Sequence, residues 1–589
     1  MRIQFVRKTT SLIAQTLKFM KTLILQTACR LMASLIRKHA SCFEPPDGMK
    51  GLVTPVFQSA RHAGWKVGAA ALTAPLPCAW SFNFARWTRA ASLALVLLMM
   101  TAAHAQPTVQ WATVAGTPGE DTPYDMALSA GGEIYVAGTF DIEGDTGPQV
   151  VLYKFDLNGT QTSSQASRGE LIRGVAVDAK GNYYLTGRVW DPSRLGTGVL
   201  NDFYLAKYSS TGTLLWERAT GSAGSEIKYS NDGGKRIALD AAGNIYVAGK
   251  STGAAVFGQV NFPAAPGGPL LCKYDPDGAL LWVKRVEGAG LVFEGTELGG
   301  GQAFSMALDR DGNVIMDGGL PNGPADFGGT VVNGAEVFVA KYKATGEVQW
   351  VRPGYGGGYT GGVAVDSQNN VFFTGMRWGK FTASGELVWA RTIPGIADWT
   401  SVAVDGKDEP IFTTTYWQTV NLDGHVLSNP LGEILVCKAD ASGKFQWAVG
   451  GSGGAPTRGG QVVSDRAGNI YVSGDMSCSY PAGIRTCGTS STFGSFSLSV
   501  SDFGGSRDFF LARLNDPSGV AVELKIARTA SGLALSWPAS ITGFVLESAG
   551  AIPAPAWNVV PGATVVEGGQ NVVNVEAGGS AKFFRLKKP

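Results

Sequence analysis

The phrase DRDGN at residue 309 sets Asp309 and Asp311 two apart ahead of a glycine, the opening of a calcium loop. Such a loop needs several carboxylates at alternating positions and a closing acid. The sister phrases DAKGN at 178, DAAGN at 240, DSQNN at 366 and DRAGN at 465 do not supply them. The repeated aspartate therefore reads as a turn cap, and no metal or other cofactor is expected. After residue 105 the chain has one histidine, His425, which leaves no histidine pair for zinc and rests any Ser-His-Asp triad on a single residue. The glycines sit in turns and loops rather than in a strand-to-helix phosphate loop. Cys478 and Cys487 enclose the stretch CSYPAGIRTC and read as a local disulfide, whereas Cys272 and Cys437 stand at equivalent places in two repeats and read as buried thiols.

A second group of residues suits binding rather than catalysis. Trp190 in GRVW, Trp378 in GMRWG and Trp417 in TTYW follow strand-like runs closely, the first two beside Arg188 and Arg377. Tyr355, Tyr359 and Trp399 lie on neighbouring connections. Exposed rings with adjacent guanidinium groups suit sugar rings or acidic glycans. The alternative is that the rings pack their own loops.

The elements that must position these residues are repeats. Besides the five phrases above, SAGGEIYVAG at 129 and DGKDEPIFTT at 405 are weaker copies, making seven, spaced 39 to 69 residues apart. Each reads as strand, type I turn with Gly in the left-handed position, strand, and so as a β-hairpin. A second phrase follows, as KYSSTGTLLW at 207, KYDPDGALLW at 273, KYKATGEVQW at 341, KFTASGELVW at 380 and KADASGKFQW at 438, with faded copies from Lys154 and Arg513. Four strands thus recur seven times. Runs such as IYVAG and VFFTG are apolar or small on both faces, as sheets packed between two neighbours require. Period and strand number point to an all-β chain, a seven-bladed β-propeller over residues 106–516. VQWATVAG near residue 109 has no hairpin partner of its own, so Trp111 is expected on the outer strand of the last blade, closing the ring.

The recurring pair DAAGNIYVAG and FG…LLCKYDPDGALLW resembles the SBBP-type bacterial propeller repeat, which is similar to NHL-type propellers. That resemblance implies an extracellular seven-bladed propeller without assigned catalysis. The first unit departs from it by lacking the Trp, and the sixth by lacking the Gly at 414. Residues 520–589, with Trp537-Pro538 and Trp557, resemble a small fibronectin-III-like β-sandwich, although about 70 residues is short for one.

Composition changes at residue 105. Residues 1–105 hold 13 of the 49 basic and 2 of the 47 acidic residues, so 36 basic and 45 acidic residues follow, a formal −9 where the whole chain carries +2. Nucleic acid is disfavoured as a partner. Arg86 and Arg89 precede the apolar run Ala90 to Ala103, and Ala103-His104-Ala105 has the small-x-small form of a signal peptidase site. Residues 81–105 are expected to be a signal peptide cut after Ala105, leaving no transmembrane span in the mature chain. Residues 1–80 fit no targeting pattern and read as a mis-set start or a disordered extension.

The resulting expectation is a secreted or cell-surface binding or scaffold protein, not an enzyme, whose long-loop face holds a polysaccharide or an extracellular protein. The rivals are a periplasmic quinoprotein dehydrogenase, since DPDGALLW resembles the Asp-x-x-Thr-Gly-x-x-x-Trp docking phrase of pyrroloquinoline-quinone propellers, and a carboxylate-based carbohydrate-active enzyme.

Overall fold

The computed structural model describes residues 106–587 apart from connecting segments, of which the longest are 141–148, 190–201, 223–232, 289–301, 477–489 and 500–507. Among the described residues there is no α-helix, and so no helix long and apolar enough to cross a membrane. The fold is all-β and propeller-like.

Sheet three shows the unit. Gly233–Leu239, Ile245–Ser251, Gly268–Tyr274 and Leu280–Arg285 form an antiparallel meander in chain order. Every residue of Ile245–Ser251 is buried, because the sheet is covered on both faces. In the first turn Gly243 N–H donates to Asp240 C=O (2.9 Å) and Asp240 N–H to Asn244 C=O (3.0 Å), with Gly243 at φ +82°. Asp240 Oδ1 accepts the Ala242 and Asn244 N–H groups, and Oδ2 accepts the Asn244 amide. The aspartate of the repeat is a turn cap, as its spacing predicts. Asn369 and Asp408 replace the glycine in two copies and adopt its left-handed conformation at φ 61° and 64°, which short polar side chains tolerate.

Among the described residues, six such meanders run in chain order. A seventh is completed from the other end of the chain: Thr457–Ser464, Asn469–Met476 and Asp508–Asn515 take Thr108–Ala115 as their outer strand, with Trp111 opposite Arg513. The innermost strands neighbour one another in a closed cycle: Asp121–Leu128, Glu170–Val177, Gly233–Leu239, Gln302–Leu308, Val363–Val365, Ser401–Val404, Thr457–Ser464, and back to the first. Inner-edge N–H groups are satisfied by side chains of the preceding sheet: Val175 N–H donates to Asp125, Val363 N–H to Ser305 and Val462 N–H to Ser401. Unpaired edge donors would otherwise be left at the axis.

The second phrase is a latch between sheets. The Trp of one sheet donates its indole N–H to the second residue of the next sheet's turn: Trp282 to Ala344 (3.1 Å), Trp350 to Ala383 (3.2 Å) and Trp389 to Ala441 (3.1 Å). The Lys that opens the phrase reaches the same carbonyls from Lys273 and Lys341. Sheets one and two use the Lys alone, from Lys154 to Ser210 and from Lys207 to Pro276. Sheet seven reaches sheet one through Trp111 and Arg513, both donating to Leu157 C=O. Cys272 and Cys437 are buried free thiols.

After the seven meanders, Lys525–Thr529, Gly532–Pro538, Gln570–Glu576 and Val565–Glu567 form one sheet, and Asn558–Val559, Val545–Ala549 and Phe583–Lys587 form another. The two share an apolar cluster around Leu535, Trp537, Leu546 and Val573.

Candidate functional site

In an antiparallel meander, the turns after the first and third strands leave at one end and the remaining connections at the other. The tight-turn end is occupied by its own structure. Lys341 lies 2.8 Å from Asp309, and Lys380 lies 2.9 Å from Asp366. Burial alone would raise both carboxyls, but the Asn and Lys hydrogen bonds hold them below their ordinary range. These aspartates are therefore committed to turns and latches. The Thr-Gly-x-x-x-Trp resemblance has the same explanation: Trp282 sits on the turn glycine Gly346, where a Cβ would meet its ring at 3.1 Å.

The connection end is different, and it departs from expectation in two respects. First, much of its length is folded as hairpins that wedge between outer strands. Ala255–Phe257 and Val260–Phe262 leave sheet three and pair with the outer strand of sheet two. Ser490–Phe493 and Phe496–Ser499 leave sheet seven and pair with the outer strand of sheet six. Ala325–Asp326 and Val331–Val332 leave sheet four, where Asp326 bridges to Glu287 beyond the outer strand of sheet three. The extended hairpin Pro410–Leu422 with His425–Ala439 bridges to Ile396, after sheet five, through Tyr416. Each wedge buries apolar side chains, among them Phe257, Phe493, Phe327 and Leu422, each at most 4% exposed. The shared Phe-Gly of AVFGQVNF, ADFGGTVV and STFGSFSL was the available signal.

Second, the aromatic residues separate into two kinds. Trp378 does not offer a face to solvent: it is 1% exposed, stacked on Phe412 of sheet six at 4.6 Å and edge-on to Phe445. The short turn before it places it on a strand packed against the next sheet, so its candidacy as a ligand platform is withdrawn. Trp417 is 43% exposed, at a bulge between Tyr416 and Gln418, with its ring over Gly432. Bulges re-aim side chains in this way. Arg377 is exposed, with its guanidinium 5.8 Å from the Tyr355 ring, and Tyr355 is half-buried edge-on against Phe373 and Phe381. Arg188 is half-buried, opposite Leu171. His425 is half-exposed near a hairpin tip. Trp190, Tyr359, Trp399 and the Cys478–Cys487 pair lie outside the described residues, as do residues 1–105.

Two charged groups at the wedges were not foreseen. Asp423, at the tip of the sheet-six hairpin, receives a bidentate pair from Arg391 of sheet five (2.7 and 2.8 Å) and the Phe445 N–H. The Arg391 hydrogen bonds hold its carboxyl down at about 2. Glu433 is fully buried and faces hydroxyl groups, Thr457 at 2.5 Å and Ser491 at 3.1 Å. Burial pushes its carboxyl up to about 7, against the pull of those hydroxyls.

No family model and no curated protein matches the chain. Solved structures to which it is similar include a protein of unknown function from Bacteroides caccae, 11% identical over 49% of this chain and 94% of that one, TM-score 0.27. A protein of unknown function from Dyadobacter fermentans is 11% identical over 70% and 99%, TM-score 0.32. BamB from Moraxella catarrhalis is 12% identical over 70% and 98%, TM-score 0.30.

Proposed function

We propose that the chain is an exported, non-catalytic binding or scaffold protein: a seven-bladed propeller of the SBBP type, similar to NHL propellers, followed by a fibronectin-III-like sandwich. Its partner, a polysaccharide or an extracellular protein, docks at the connection end. The observation that carries this reading is the asymmetry of the two ends. At one, the repeat's carboxylates, lysines and indoles are engaged turn by turn in capping and latching. At the other, an exposed guanidinium, Arg377, and an exposed indole, Trp417, stand on a scaffold made rigid by that latching. Variable connections on a rigid frame are where binding residues concentrate.

The test is a glycan and polysaccharide array, with extracellular matrix proteins alongside, probed with purified residues 106–589. Capture of one class by the parent chain, lost in the Arg377→Ala, Trp417→Ala double variant at an unchanged melting midpoint, supports the reading. Capture that survives both substitutions places the site elsewhere, and turnover of a glycan without stable capture favours the carbohydrate-active enzyme.

A further inference from the structure

The junction between sheets six and seven breaks the latch pattern. At Lys438 the repeat's lysine is fully buried and faces three carboxylates: Asp405 Oδ2 at 2.5 Å, Glu409 Oε2 at 3.0 Å and Asp516 Oδ2 at 3.2 Å. Two substitutions within the repeat produce this. Glu409 stands where five of the other six copies carry the asparagine that binds the turn aspartate, as Asn313 does on Asp309 and Asn370 on Asp366; the first copy has Glu133 there, but with Ser129 in place of the aspartate. Asp516 replaces the turn carbonyl that accepts the indole elsewhere, and takes the Trp447 N–H instead at 3.1 Å. With no asparagine on it, Asp405 Oδ2 has the Lys438 nitrogen as its close neighbour. The cross-strand neighbours of Lys438 are Ile411 and the fully buried Trp447, both in the surrounding apolar cluster, and Glu409 stands at the rim with its side chain 19% exposed.

We propose that Lys438 and Asp405 are the site of an autocatalytic amide cross-link between their side chains, with Glu409 as the proton shuttle and Asp516 as the group that holds the lysine in place. Condensation requires an amine and a neutral carboxyl in contact, shielded from water, with a third acid to move protons. The atoms balance without an added reagent. Glu409 takes one proton from the Lys438 ammonium and passes it to Asp405. The free amine attacks Cγ of Asp405, forming one C–N bond. A second proton, released by the nitrogen, travels through Glu409 to the departing hydroxyl as the C–O bond breaks. One water leaves, one hydrogen stays on the amide nitrogen, and no atom changes oxidation state. Burial raises the Asp405 carboxyl although Lys438 pulls it the other way, which favours its neutral, electrophilic form. The same three acids favour the Lys438 ammonium, so proton removal by Glu409 is the demanding step. Lys341 with Asp309 and Lys380 with Asp366 are internal controls: the ion pairs are as close as 2.8 and 2.9 Å, but an asparagine amide occupies the carboxylate in each and cannot shuttle a proton.

Intact mass spectrometry of the whole purified chain, fully denatured, decides the matter. The expected mass is one water below that of the sequence, with trypsin failing to cut after Lys438 and the peptide carrying Lys438 joined to the one carrying Asp405. Lys341 and Lys380 are expected to be cut normally. Glu409→Gln should fold with an unchanged circular dichroism spectrum and keep the full mass. A parent chain of full mass that is cut after Lys438 overturns the proposal, and so does a water loss that maps to any other residues. A Glu409→Gln chain that still loses the water overturns the shuttle role.

Discussion

The Trp111 indole, near the start of the described chain, lies against the backbone of Gly159 in the turn of sheet one, where an added Cβ would stand 2.8 Å from the ring. Gly159 holds φ +82°, so the turn needs glycine for its backbone as well as for the ring above it. Trp111 also donates its indole N–H to Leu157 C=O at 2.9 Å. The last sheet, completed by a strand from the other end of the sequence, is thereby fastened to the first. Trp282 occupies the equivalent place between sheets three and four, and both indoles are half-buried. Trp111→Ala and Trp282→Ala should each cost about 2 to 3 kcal/mol, below the full value for a wholly buried Trp. Urea melts of the two variants check this; a Trp111→Ala midpoint equal to that of the parent would mean that closure rests on the strand pairing alone.

Trp378 and Trp417 should respond in opposite ways. Truncation of Trp378 removes a fully buried ring stacked on Phe412, a loss of about 3 to 5 kcal/mol. Trp417 is 43% exposed with its ring over Gly432, and Trp417→Ala should cost about 1 kcal/mol or less. Denaturant midpoints of the two single variants distinguish them, and equal losses would contradict the difference in burial.

The hairpin-tip pair offers a weaker effect of defined sign. Asp423 is depressed by Arg391, so its contribution is present above the unfolded value near 3.8 and is lost as pH falls through about 2. Because the pair is partly exposed, the contribution should not exceed about 1 kcal/mol. Asp423→Asn keeps a residue that tolerates the left-handed backbone at φ 54° and removes only the charge. Its midpoint should fall slightly at pH 7, and the difference should shrink in 1 M salt.

The elements that repeat were legible in the sequence, since Asp240, Gly243 and Asn244 act within five residues of one another and their turn chemistry is local. Closure was legible too, because Trp111 carries the flanks of the second phrase. The wedges were not. Their shared signal is a Phe-Gly pair in strands of two to four residues at irregular distances from the repeats, and their pairing partners belong to the preceding sheet. Trp378 misled because its burial is made by Phe412, 34 positions along the chain and in another sheet. Glu433 gave no signal at all: its hydroxyl partners, Thr457 and Ser491, come from sheet seven and its wedge, and only the folded chain brings the three together.

Glu433 makes the strongest pH prediction. A glutamate has an ordinary value of 4.5, and burial raises this one to about 7 in the folded chain, so the native state holds the proton more tightly than the unfolded state. Stability from this group is therefore fully present below about pH 4.5 and is lost as pH rises through about 7. At about 1.4 kcal/mol per pH unit the span amounts to about 3 kcal/mol at most. The hydroxyls of Thr457 and Ser491 pull the other way but only partly offset the burial. Thr457 and Ser491 are neutral hydroxyls, and the Tyr416 hydroxyl is itself pushed up to about 12, by burial first and by the Glu433 charge second. Ser491 lies on the wedge strand that pairs with sheet six, so ionisation of Glu433 is expected to loosen that wedge first. Glu433→Gln keeps the shape and removes the charge. It should match the parent within about 1 kcal/mol at pH 5 and exceed it at pH 8.5 by about 1 to 3 kcal/mol, with amide exchange near Ser491 slowed at the higher pH. Parallel stability curves for the two chains from pH 5 to 8.5 would show that the carboxyl ionises without cost, and that the hydroxyls around it suffice to hold the charge.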